Sequence, residues 1–117
     1  MKVLVVLNRN PYDGTDVTWN ALRLVEKLLG EAAEPHIFLM NDAVDLAKEG
    51  VVPPPEYFNL TEMLTGLMAK HVPVRVCGTC LTRCGIHKNK NLIAGAQKAT
   101  MPELAQWLVE CDKAISF

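Results

Sequence analysis

No run of apolar residues in this 117-residue chain approaches the roughly 18 needed to span a membrane. The opening run Val3 to Leu7 is too short for a secretory h-region, and no small-residue cleavage site follows it. The expectation is a cytoplasmic protein with no membrane partner. Charge of one sign is also lacking. Twelve Lys+Arg against 13 Asp+Glu leave a net charge of -1, with no global field to draw in nucleic acid, so no direct nucleic-acid partner is expected. Neither G-x-G-x-x-G nor G-x-x-x-x-G-K-[ST] occurs, and no cofactor is expected. There is no internal repeat. Cysteine is absent from the first 76 residues, which removes a disulfide framework. What is present is a 50% hydrophobic composition, enough for one core and too little for two, so residues 1–117 are read as a single domain. Of the four cysteines, Cys77, Cys80 and Cys84 fall within eight consecutive residues. In a reducing compartment such a cluster indicates metal binding, or redox and sulfur chemistry.

Apolar periodicity places these cysteines in a fold. Lys2 to Leu7 reads as a strand covered on both faces, and Asn8 to Gly14 as a loop dense in turn residues. A helix capped by Thr15 or Asp16 runs to Leu29 and is stopped by Gly30. Pro35 to Met40 is a second strand, and a short helix Ala43 to Lys48 follows, with Asn41-Asp42 as cap or pocket wall. After Pro53-Pro54-Pro55, Asn59 and Glu62 form a capping box for a helix carrying Leu60, Met63, Leu64, Leu67 and Met68. Val72 to Val76 is a third strand, Leu92 to Ala94 a weak fourth, and Lys113 to Phe117 a closing strand. Between the last two, Thr100 and Glu103 cap a helix expected to bury Leu104, Ala105, Leu108 and Cys111. The alternation predicts a three-layer α/β/α sandwich around a mostly parallel sheet of about five strands. Ligands in such sheets bind beyond the carboxyl ends of the strands, where the loops at Asn8, Asn41 and Cys77 emerge.

Cys77 therefore ends a strand and begins a short helix, where unpaired N–H groups and the helix dipole favour a thiolate. Arg83 adds positive charge if its side chain folds back. Four readings stay open. Cys77 is a sulfur nucleophile that carries a persulfide, with Cys80, one turn away, as second thiol. Alternatively Cys77-x-x-Cys80 is a thioredoxin-like dithiol, although no tryptophan precedes it. A zinc or iron–sulfur site would use Cys77, Cys80, Cys84 and His87, although an intact helix holds Cys84 about 10 Å along the axis from Cys77. In the fourth reading the cysteines are small buried hydrophobes, which suits Cys111 on its apolar stripe. In the first loop, Asn8, Asp13, Gly14 and Thr15 either bind an anion or simply shape the turn. His36 and His71 stand at strand entrances, opposite the active edge, and are expected to be solvated.

The segment Val76-Cys-Gly-Thr-Cys-Leu-Thr-Arg83-Cys84-Gly85-Ile86 resembles the cysteine loop of the DsrE/DsrF-like sulfur-relay family, including its TusD-like members. The opening strand, the Pro11-Tyr-Asp-Gly14-Thr loop and the ending Cys111 to Phe117 extend the resemblance along nearly the whole chain. The resemblance implies a cytosolic α/β domain that assembles into homo-trimers or hexamers. It implies sulfur carried as a persulfide on Cys77, with Arg83 and Gly85 at the family's Arg-Gly helix end. Sulfur donor and acceptor proteins or small persulfides are the implied partners, and sulfurtransferase or carrier the implied activity. Cys80 and Cys84 depart from the pattern, standing where a small residue and a second arginine are common.

Overall fold

Five strands define the frame of the computed structural model, which describes residues 1–117: β1 (Lys2–Leu7), β2 (Glu34–Leu39), β3 (Val74–Cys77), β4 (Gln97–Ala99) and β5 (Lys113–Ser116). They form one sheet in the order β4-β3-β2-β1-β5, and every neighbouring pair is parallel. Parallel neighbours need a crossover, and these are supplied by α1 (Val17–Gly30), α2 (Leu60–Ala69), α3 (Gly78–Arg83) and α4 (Met101–Glu110). Steps from β1 to β4 run one way across the sheet, and α4 returns the chain to the far edge. Right-handed crossovers then put α1 and α2 on one face and α4 on the other. Residue alternation in β1 agrees. Val3 lies with Leu24 and Leu28 of α1, whereas Leu4 and Val6 lie with Leu104 and Leu108 of α4. The result is the expected three-layer sandwich. None of its helices is long and apolar enough to cross a membrane.

Burial on both faces explains the unbroken apolar runs in β1 and β2. Leu4, Val5, Leu7, Ile37, Phe38 and Leu39 are all essentially inaccessible. Both expected N-caps form: the Asn59 side chain accepts the Glu62 N–H at 3.1 Å, and Thr100 Oγ1 accepts the Glu103 N–H at 3.4 Å.

Five local expectations need correction. The fourth strand is Gln97–Ala99, and Leu92 makes only an isolated bridge to Lys48. A three-residue edge strand with two exposed positions has no apolar alternation to reveal it. Gly30 lies inside α1; the left-handed stop is made by Ala32 (φ 59°), while the Ala33 N–H returns to Leu28 O. Asp16 occupies the N-cap position of α1 without a capping bond, because its carboxylate accepts the Tyr57 hydroxyl at 2.9 Å. On α4, Trp107 is the buried residue, while Leu108 is 55% exposed, Ala105 is exposed, and Leu104 and Cys111 are half-buried. The indole turns the helix: it stands edge-on to His36 and Phe38 (centroids 5.0 and 6.3 Å apart), with the Arg75 guanidinium 4.2 Å over its ring. His36 is accordingly half-buried, whereas His71 is exposed as expected.

Between β2 and α2 the chain forms a 3-10 segment, Asn41–Ala47, whose residues Ala43 to Ala47 are all buried. It lies against α3 and positions the site described next.

Candidate functional site

Cys77 is the last residue of β3 and the N-cap of α3, and its sulfur accepts the Cys80 N–H at 3.4 Å. Cys80 Sγ in turn accepts the Asn41 N–H at 3.2 Å. Asn41 points that donor inward because its backbone is left-handed (φ 51°), a conformation that asparagine tolerates better than most residues. Its side-chain amide donates to Asn8 Oδ1 at 2.9 Å, and Asn8 Nδ2 donates to the Phe117 carbonyl at 3.2 Å. Asn8 and Asn41 thus brace the sulfur pair, and neither side chain caps a helix. Both thiols are almost closed to solvent: Cys77 is 6% and Cys80 8% exposed.

The Cys80 thiol is pushed up to about 11, first by burial and then by its hydrogen bond to Cys77, with the Asn41 N–H pulling the other way. At neutral pH Cys80 therefore keeps its proton. Stability follows from this shift. The ordinary thiol value is 9.0, so above pH 9 the unfolded chain gives up this proton before the folded one. The folded state then binds more protons, and stability falls as pH rises from about 9 to about 11. Urea midpoints measured across that window should drop in wild type, and Cys80→Ala should show a smaller drop. Burial is also the first cause of the raised Cys111 thiol.

Two carboxylates hold the segment that follows α3. Asp42 Oδ1 accepts the Gly85 N–H at 2.9 Å. Asp45, only 1% exposed, accepts the N–H groups of Ile86 (2.7 Å) and His87 (3.2 Å) and the Asn10 side-chain amide (2.9 Å). Gly85 is left-handed (φ 78°) and lies against Asp45, where an added Cβ would overlap Oδ1 and stand 2.8 Å from Cγ. The second buried charge, Lys48, donates to Lys90 O at 2.9 Å and ties the same segment further along.

Asn8 and Asn41 therefore gather with Cys77 and Cys80, and Asp42 holds the turn after α3, but Asp13 and Gly14 join neither. Asp13 folds onto Thr15 and pairs with Arg9 at 2.8 Å; these contacts outweigh burial and lower its carboxyl. Gly14, left-handed at φ 83°, shapes the turn. With Thr15 it lines a separate cavity of about 210 Å³ beside Tyr12, Pro54, Pro55 and Tyr57. Arg83 is exposed at the far end of α3, in no ion pair. Cys84 is half-buried just beyond the helix, its N–H donating to Cys80 O at 2.8 Å. The ligand set Cys77, Cys80, Cys84 and His87 does not converge: no three His, Cys, Asp or Glu side chains are placed to hold a metal ion. The intact α3 helix separates Cys84 from Cys77, and His87 is drawn to Asp45 through its backbone. All four cysteines are free.

Sequence reasoning passed over Asn10 and Asp45. The one available signal was an aspartate set inside the apolar run Ala43-Val-Asp-Leu-Ala47. A charge there is tolerated only when it is fully hydrogen-bonded.

Known proteins share this fold. The DsrE/DsrF-like family model matches residues 1–117. Protein YchN of Escherichia coli (strain K12) is 38% identical over 118 residues, covering 99% of this chain and 98% of that protein. Uncharacterized protein MJ0989 of Methanocaldococcus jannaschii is 35% identical over 117 residues, covering both chains completely. The crystal structure of the E. coli ychN protein superposes with a TM-score of 0.87 at 38% identity, covering 100% of this chain and 99% of that one. The chain belongs to the DsrE/DsrF-like family, whose members generally work in sulfur relay with partner proteins.

Proposed function

We propose that this protein carries sulfane sulfur as a persulfide on Cys77, acting as a sulfurtransferase or carrier between a donor and an acceptor. One observation carries the reading: a nearly buried cysteine at the carboxyl edge of the sheet, its sulfur met by the backbone N–H of Cys80, whose own thiol stays protonated. In the loading step the Cys77 thiolate attacks the outer sulfur of a donor persulfide, R–S–SH. A Cys77–S bond forms, the donor S–S bond breaks, and RS⁻ leaves with the bonding pair. An acceptor thiolate repeats the exchange in reverse, so no net oxidation occurs. Cys80 donates a hydrogen bond to the charged sulfur and holds the site dry. Arg83, exposed and unpaired, meets an anionic donor or an acidic partner surface. The cytoplasm suits four free thiols. The test is intact-protein mass after exposure to a small persulfide, with the added sulfur mapped by peptide. One sulfur on the Cys77 peptide supports the reading; no uptake, or uptake on Cys84, overturns it.

The placement of both thiols within the first turn of α3 also favours a second reading, a Cys77–Cys80 dithiol reductase. That activity would appear as a reversible disulfide and reduction of insulin.

The proposal includes homo-trimers or hexamers. Leu108 and Ile115 on the α4–β5 side stand exposed, with Val109 at 85%, and β5 is an unpaired edge without a buried residue. Wild type should sediment at three or six times the chain mass. The pair Leu108→Glu and Ile115→Lys should shift it to monomer if that face is the contact.

A further inference from the structure

We infer that a polar cleft beside Cys77 is an anion subsite in which Lys98 holds the charged leaving half of a small sulfur donor, one bearing a carboxylate or sulfonate. The choice of donor rests on the persulfide reading; the anion preference does not.

The cleft has a volume of about 700 Å³, within the range of small-molecule sites, and is lined by Gly78, Thr79, Lys98 and Thr100 among others. Gly78 and Thr79 directly follow Cys77, and Ala99, also on the wall, is the ladder partner of Cys77. The position of Lys98 is built in. Its stem lies across Gly78, where an added Cβ would stand 2.8 Å from Lys98 Cε and 3.3 Å from Cγ. A side chain at position 78 would displace the lysine, so glycine keeps the stem against the first residue of α3. The Lys98 ammonium has no partner: the ion pairs are Arg9–Asp13, Lys70–Glu26 and Arg75–Glu103, and none includes it. Glu103, the carboxylate bonded to Thr100, is already occupied by that hydroxyl at 3.1 Å and by Arg75 at 4.0 Å. An unpaired ammonium on a wall shared with Gly78 and Thr79 forms a surface for an anion. A donor lodged there keeps its anionic group by Lys98 while its outer sulfur meets Cys77. When the donor S–S bond breaks, the thiolate that leaves is part of a molecule still held by the same cation.

Alkylation tests the subsite without sulfur chemistry. Cys77 is labelled with iodoacetate, which is anionic, and with iodoacetamide, which is neutral, and the two rates are read by peptide mapping. Lys98→Met should lower the iodoacetate-to-iodoacetamide ratio about fivefold, as expected for removing one nearby charge in a partly screened site. Lys98→Arg should keep the ratio, and high salt should reduce it in wild type and in Lys98→Arg but not in Lys98→Met. An unchanged ratio in Lys98→Met, or a Cys77 that neither reagent labels, overturns the proposal. In parallel, sulfur loading is compared for glutathione persulfide and an uncharged alkyl persulfide. Lys98→Met should raise the half-saturating concentration of the anionic donor about fivefold and leave the neutral one alone. If neither donor loads Cys77 while the alkylation ratio still falls, the persulfide reading fails and the anion subsite stands.

Discussion

Cys77→Ser should take up no sulfur from a persulfide donor, whereas Cys80→Ser should still load, and Cys80→Ala should load roughly tenfold more slowly than wild type. The contrast follows from the division of labour between the two thiols. A serine hydroxyl at 77 is neither ionised at neutral pH nor soft enough to attack sulfur, so the first substitution removes the reaction itself. At position 80 the thiol, pushed up to about 11, keeps its proton, and in the proposed mechanism it offers that proton as a hydrogen bond to the neighbouring sulfur. Serine restores a donor there and alanine does not. A hydrogen bond to a charged group contributes about 1.5–3 kcal/mol, which sets the tenfold loss as a lower figure. Loading rates come from intact mass against time. Equal rates for Cys80→Ala and wild type would remove Cys80 from the mechanism. Complete loss in Cys80→Ser would make it a nucleophile, as the dithiol reading requires.

Gly85→Ala should cost about 2–4 kcal/mol of stability, far more than Gly14→Ala, although both glycines have a left-handed backbone. Alanine in that conformation costs roughly 1 kcal/mol by itself, and Gly14 has nothing within 4 Å to add to it. At Gly85 the new methyl would enter the Asp45 carboxylate, which cannot move without stranding three N–H donors. Asp45→Ala should be comparably damaging for the same reason. Urea unfolding of the glycine pair is the measurement; equal losses would mean that the Asp45 contact carries no energy.

The Gly85 comparison shows what the sequence could and could not reveal. Alternation of apolar strands and amphipathic helices was enough for the parallel sandwich and for Cys77 at a strand end, because burial on one or two faces leaves a local signature. The N-caps at Asn59 and Thr100 were legible for the same reason: each is completed within four residues. The strand Gln97–Ala99 was missed because its pattern is too short, and the face of α4 was misplaced because one indole outweighs a leucine stripe. Gly85 could be matched to a family pattern, yet its need for Asp45, forty residues earlier, has no trace in the local sequence.

The sequence alone thus determined the layer order, the caps of α2 and α4 and the place of Cys77 at the carboxyl edge, since these depend on short-range periodicity and hydrogen bonding. Tertiary structure decided which groups surround Cys77 and the helix it begins. Asn41 reaches Cys80, Asp45 anchors the segment after α3, and Lys98 lies across Gly78. Each of these contacts joins elements brought together by the parallel sheet, where residues that are neighbours in space are distant in the chain.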